Sequence, residues 1–380
     1  MKILTIDVGT GTQDIYLYDS ELNIENGYKL ILPSPTMIAH RKLKEATRRG
    51  DAVVFSGVMM GGGPSQWAAE EHIQAGYKVF ATPDAAQTFN DDLDYVASMG
   101  IEIIAEEDAN KLPESVERLI FQDFDCLLIL DTLRNFSVDI DNLAALAIAV
   151  FDHGAAPKNY SDRQFRFDYL SERMENSKDL STFAFLVDEI PLIMARMQAV
   201  AKTADCIDAP LVLMDTAPAA VLGSTFDTRV SVYDRKLVVN VGNFHTIAFK
   251  LGSTGIEGIF EHHTGFLDTK KIDELIRSLA DGDLTHEEVF NDRGHGTLIL
   301  TPDKLNLDRD DFGIVVTGPR RNMMRSSTLR PYFAAPFGDM MITGCFGLLA
   351  AVADLLPDLH DPIMASLLQE KEGSPPWESE

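Results

Sequence analysis

The run Ile3-Leu4-Thr5-Ile6-Asp7-Val8-Gly9-Thr10-Gly11-Thr12-Gln13 carries branched apolar residues into a carboxylate and then turns at once through two glycines. Ile15, Leu17 and Tyr18 resume a strand, so the stretch predicts a β-hairpin whose glycine tip can present N–H groups to an anion. It lacks Gly-Lys-Ser or Gly-Lys-Thr and is not a Walker P-loop. At such a tip Asp7 can hold magnesium through water, while Thr10, Thr12 and Gln13 can donate to phosphate oxygens. An Asx-turn at Asp7 and an ordinary sheet position for Gln13 are the structural alternatives.

A chain of 380 residues has ample length for a buried core and a size prior of two domains. Its 45% hydrophobic and 24% charged residues are those of a folded protein. The 59 acidic against 33 basic side chains give a net charge of -26, which repels nucleic-acid backbones and anionic lipid surfaces. No nucleic acid or membrane partner is expected. Cys126, Cys206 and Cys345 lie far apart with no CxxC spacing, so each is expected to pack as a buried thiol and none to hold an iron–sulfur cluster. The chain opens on a core strand, and the apolar run 143–151 is too short to cross a bilayer, so a cytoplasmic protein is expected.

Strand-like runs at 52–55, 77–80, 126–130 and 143–151 alternate with helical stretches at 65–75 and 91–98, predicting a mostly parallel covered sheet. A long helix over 182–203 then leads to a second unit that repeats the opening pattern: strand 211–214, small-residue helix 217–222, strand 236–243 ending in a glycine turn, and strand 244–250. Asp7 to Gly9 and Asn240 to Gly242 thus occupy equivalent hairpin positions, predicting two similar α/β lobes that face one cleft. A strand at 313–319 and a helix over 348–355 follow. The expected domains are 1–205 and 206–370, with 371–380 as a flexible tail.

Together these segments resemble the actin, Hsp70 and sugar-kinase superfamily, whose two ribonuclease-H-like lobes close on ATP around a central nucleotide cleft. Residues 7–13 look like its first phosphate loop, 214–223 its first connecting helix, 239–246 its second phosphate loop, 315–321 its adenosine motif and 344–351 its second connecting helix. Within that superfamily, Phe151-Asp152-His153-Gly154 and 260–265 resemble motifs of a group labelled pyruvate formate-lyase-activating proteins (DUF1786). That label implies a radical reaction on an iron–sulfur cluster, for which this sequence has no cysteine triad. The resemblance implies an actin-like ATPase fold with ATP and Mg2+ as cofactors. Gly9, Thr10, Gly11, Thr12, Gln13, Asn240, Gly242, Asn243, Thr246, Gly318, Arg320 and Arg321 would hold the nucleotide, and Asp7 the metal. Where the superfamily has an acid in its second loop, this chain has Asn240, a weaker magnesium ligand, and Phe244 and His245 crowd the turn.

Asp131 and Asp152 both follow apolar runs and are the candidate bases for an accepting hydroxyl; Asp152 is favoured because His153-Gly154 follows at a sharp turn. Gly61, Gly62 and Gly63, between strand and helix, can receive an anionic substrate. His153, His245, Glu261, His262 and His263 complete the candidate substrate pocket, with Glu261 orienting one ring. Adjacent His262 and His263 on a strand face opposite ways and do not chelate by themselves. The first expectation is a Mg-ATP-dependent small-molecule phosphotransferase. A nucleotide-driven conformational switch with little turnover and a possible protein partner, and a non-nucleotide enzyme on the same scaffold, are the alternatives.

Overall fold

In the computed structural model, which describes residues 1–370 and 373–378, the opening hairpin consists of β1 (Lys2–Val8) antiparallel to β2 (Thr12–Asp19), with Asp7 opposite Asp14. β3 (Tyr28–Pro33) adds antiparallel to β2. The chain then leaves this sheet to build a separate, all-parallel one from β4 (Val53–Gly57), β5 (Val79–Ala81), β6 (Ile101–Ile103) and β7 (Glu117–Phe121), in the order β6-β5-β4-β7. The sequence patterning places the 52–55 and 77–80 runs in one sheet with 143–151 and gives no sign of β6 or β7; apolar runs report burial and not which sheet they join.

β8 (Ala145–Val150) returns to the first sheet parallel to β1, and β9 (Ala184–Leu186) and β10 (Leu211–Asp215) complete it in the order β3-β2-β1-β8-β10-β9. The strand expected to open the second unit therefore belongs to the first sheet, because β10 pairs parallel with β8. A second six-stranded sheet contains β11 (Lys236–Val241), β12 (His245–Gly252), β13 (Gly255–His263), β14 (Gly294–Ile299), β15 (Ile314–Thr317) and β16 (Pro331–Phe333), in the order β14-β13-β12-β11-β15-β16. The two sheets repeat one plan. Each begins with an antiparallel hairpin, adds its third strand antiparallel outside that hairpin, and places two later strands parallel on the far side; β9 beyond β10 and β14 beyond β13 are antiparallel edge strands that the other sheet does not share.

β1 and β8 are buried on both faces, as the unbroken apolar run of β8 requires; in β1 the run is interrupted only at Thr5 and Asp7 after the first residue. One face packs on helix Thr343–Leu355 through Ile3, Ala145, Ala147 and Phe346; the other meets helices Cys126–Asn135 and Ala195–Thr203 through Leu4, Ile6, Ile129 and Met197. Helices Thr216–Ser224 and Thr343–Leu355 cross with almost no side chain between them. A Cβ on Gly223 would collide with the Thr343 carbonyl, and one on Gly347 with the Ala219 carbonyl.

Three local expectations change. The 126–130 run is helical: the Asp125 side chain accepts the Leu128 N–H (3.1 Å), and Cys126, Ile129, Leu130 and Leu133 form the buried stripe while Leu127 and Leu128 are exposed. The span 182–203 is broken before Pro191, and only Ala195–Thr203 is α-helix. Cys126 and Cys206 form a disulfide, leaving Cys345 as a buried free thiol. Within the expected tail, residues 371, 372, 379 and 380 lie outside the described residues. Gly373 and Ser374 are docked, donating to Asn23 Oδ1 (2.7 Å) and the Glu21 carbonyl (2.8 Å), because backbone donors there find partners even where apolar side chains are few. Among the described residues no helix is long and apolar enough to cross a membrane.

Candidate functional site

The two hairpin tips are built alike. Gly9 donates its N–H to the Thr12 carbonyl (2.9 Å) and Gly242 to the His245 carbonyl (2.9 Å), and both turns open on one cavity of about 120 Å³. Gly9, Thr10, Gly11 and Thr12 line one side; Asn240, Gly242, Asn243 and Gly318 line the other. Thr317, whose buried Oγ1 has no hydrogen-bond partner, lies in the same wall. Gln13 and Thr246 do not reach it. Gln13 Nε2 donates to the Pro33 carbonyl (3.0 Å), and the buried Thr246 hydroxyl pairs with that of Thr264, in the turn just after β13 (3.0 Å). Arg320 and Arg321 also lie outside the lining; the Arg321 guanidinium instead donates to the Ala334 carbonyl (2.8 Å).

Two carboxylates form the floor. Asp7 accepts from the Thr216 hydroxyl (2.5 Å), and its place at the start of helix Thr343–Leu355 is open because residue 344 has no Cβ to collide with it. Burial pushes the Asp7 carboxyl up to about 7, against the Thr216 hydrogen bond and with Asp215 adding to the rise. Asp14, directly across the hairpin, is pushed up to about 8, first by burial and then by Asp7. Its Oδ1 is buried without a partner. Asp14 escaped sequence reading because it resembled one more polar residue in a strand. Its pairing with Asp7 follows from the register that the turn fixes, Val8 opposite Gln13 and Asp7 opposite Asp14.

A second, larger cavity of about 890 Å³ adjoins the first, and Thr10, Phe151, Arg196, Phe244 and His245 line both. Gly61, Gly62 and Gly63, supplied after β4, form part of its wall, together with Asp152, His153 and His263. Asp152 is committed to backbone: its two oxygens accept from Gly154 N–H (2.8 Å) and Met197 N–H (2.9 Å), while burial raises its pKa. Asp131 sits exposed on helix Cys126–Asn135 beside Arg134 (3.4 Å) and lines neither cavity. Its expected position rested on a strand end that is in fact the middle of a helix.

Behind the chamber wall lies Arg166, 1% exposed, which had no signature in the sequence. Its guanidinium donates to both Glu261 oxygens (3.0 Å each), to Asp215 (2.7 Å) and to the Asp152 carbonyl (2.7 Å), and covers the Phe151 ring at 3.7 Å. Phe151 in turn stacks on His245, with centroids 4.1 Å apart. One side chain thereby ties β10 and the end of β8 in the first sheet to β13 in the second. Glu261, expected to orient a histidine, serves Arg166; burial lifts its carboxyl to about 7 even though Arg166 opposes the rise. Burial also pushes His153 down to about 3 and His263 to about 4, and holds His245 and His295 well below the usual imidazole value. His262 and Glu261 line neither cavity, and His262 faces Asp292 (3.6 Å) on the opposite side of β13 from His263.

The model of the family described as "Putative pyruvate format-lyase activating enzyme (DUF1786)" matches residues 60–323. No curated protein matches the chain. Among solved structures, it is similar to an activator of 2-hydroxyisocaproyl-CoA dehydratase from Clostridium difficile with bound ADPNP, at 10% identity over 99% of this chain and 100% of that one, with a TM-score of 0.32. It is also similar to a ROK hexokinase from Thermus thermophilus, at 10% identity over 67% of this chain, with a TM-score of 0.23. The chain spans 47% of that hexokinase's length. Likenesses this distant say nothing of what this chain binds.

Proposed function

The chain belongs to the DUF1786 family, and on that footing we propose that it is a nucleotide-driven conformational switch whose two α/β lobes close on ATP. The observation that carries this reading is the pair of matching glycine tips, one from each six-stranded sheet, opening on a single cavity above buried carboxylates. Backbone N–H groups at such tips suit phosphate oxygens. Asp7 and Asp14 fit a magnesium ion: both are acidic oxygen donors in the same wall, and Asp14 Oδ1 lacks any other partner. When bound, that ion supplies positive charge against the phosphates. Asp7 and Asp14 would hold it, Gly9 to Thr12 and Gly242 to Asn243 would hold phosphate, and Thr317 and Gly318 would border the nucleoside.

An iron–sulfur cluster, which radical activation would require, does not fit the donor set. Cys126 and Cys206 are joined to each other, and Cys345 Sγ lies buried against the Asp14 carbonyl (3.2 Å). Phosphoryl transfer is the second reading, favoured by the adjoining chamber of about 890 Å³. Asp152 weighs against it, since both its oxygens already accept backbone hydrogen bonds. The test is hydrogen exchange with and without ATP analogues and magnesium, run beside phosphate release. The switch predicts magnesium-dependent protection of both hairpin tips with little release. Rapid turnover that requires one metabolite, and disappears in Asp152→Asn while binding persists, would favour the kinase; no protection by any nucleotide would end both readings.

A further inference from the structure

Where the ends of the two six-stranded sheets meet, imidazoles from distant parts of the chain converge. His153 follows β8 of the first sheet. His245 opens β12 and His295 lies in β14, beside the irregularity in pairing between Glu261 and His262. One ligand nitrogen from each of these three lies within 4.8 Å of the other two. His245 Nε2 and both ring nitrogens of His295 are buried with no hydrogen-bond partner, and His295 is 0% exposed. A neutral imidazole offers one donor and one acceptor, so leaving both unmet in a dry interior is costly unless something else satisfies them.

We propose that His153, His245 and His295 form a binding site for a divalent transition-metal ion of the zinc, cobalt or nickel class, with a further coordination position toward the large chamber. Three nitrogen donors without a carboxylate suit such ions and disfavour magnesium or calcium, which take oxygen. Metal–nitrogen bonds of roughly 2.0–2.1 Å require the donors to sit somewhat over 3 Å apart, which modest ring rotations supply from the observed spacing. Two neighbours stand ready to hold the rings: Phe151 stacks on His245, and Glu261 Oε1, which also accepts from Arg166, stands 3.9 Å from His295 Nδ1, so that the same modest rotation would bring it to hydrogen-bond distance as an acceptor. His263, with its ring centroid 4.7 Å from that of His295, borders the chamber side of the cluster. Because His153 comes from one sheet and His245 and His295 from the other, the ion would bridge them. The site stands whether or not the neighbouring cavity takes a nucleotide.

Chelator-stripped, full-length protein titrated with Co2+ alone tests the site directly. The expected result is one equivalent bound with intense visible ligand-field absorption, displaced by Zn2+. His245→Ala and His295→Ala should each weaken binding on the order of 10- to 100-fold or more, while His360→Ala, exposed on helix Pro357–Leu367, leaves it unchanged. X-ray absorption at the cobalt edge of the wild-type protein should show imidazole scattering from three nitrogens, a readout independent of whether the variants fold. No stoichiometric binding, an oxygen-dominated shell, or equal losses in the His360 variant would overturn the assignment.

Discussion

Burial strongly alters the titration of Asp14. Its carboxyl rises from 3.8 to about 8 on burial, so the folded protein holds an extra proton between those values. Stability should therefore fall as pH rises through that window, with the full penalty present above it. In EDTA, Asp14→Asn should gain melting temperature relative to wild type on going from about pH 5 to about pH 8; a constant difference at both pH values would contradict the assignment. Adding magnesium and nucleotide should remove the wild-type penalty and leave the variant unmoved. Arg166 calls for a different measurement. Arg166→Met strands Glu261 and Asp215 as buried carboxyls and should cost about 3–5 kcal/mol in urea unfolding, with partial recovery when Glu261→Gln is added. Asp7 was readable from sequence because it ends a strand at a glycine turn. Arg166 was not, because its acidic partners lie on β10 and β13 and meet it only in the folded chain.

At the scale of elements, the hairpins were legible because their signal is local: an apolar run, a glycine turn, and a second run. The 126–130 stretch is ambiguous because five apolar residues in a row fit a buried strand and a helix flank equally, and the Asp125 cap settles the matter only with its geometry in view. The crossing of helices Thr216–Ser224 and Thr343–Leu355 makes a sharp prediction. Gly347→Ala should destabilise by about 1–3 kcal/mol, read as a lowered melting temperature, because its methyl meets the Ala219 carbonyl. A change within about 0.5 kcal/mol would mean that the helices can slide apart freely. The disulfide pins helix Cys126–Asn135 to the segment before β10 across a separation of 80 residues. Its reduction should lower stability by about 4.5 kcal/mol on the loop-entropy model, and Cys126→Ser with Cys206→Ser should reproduce the loss and abolish the reductant effect.

Across the whole molecule, the repeated sheet order gives the chain two equivalent turns and one shared cavity. Nucleotide should therefore slow exchange in 9–12 and 242–243 together, and protection of one turn without the other would separate them functionally. The echo between 7–9 and 240–242 made that pairing visible in sequence. The parallel sheet of β4 to β7 was not visible as a separate body, since nothing in an apolar run names the sheet it will join. The histidine convergence was half legible: His153, His245 and His263 stood out, whereas His295 carried no local mark and His262 faces the other side of its strand. That parallel sheet leaves the main fold after β3 and the chain rejoins it at β8, yet it brings Met60 to Gly63 and Thr88 to Asp92 to the chamber. A module hung in this way can be transplanted: chimeras that exchange it between related chains would retarget the chamber while both glycine tips stay in place.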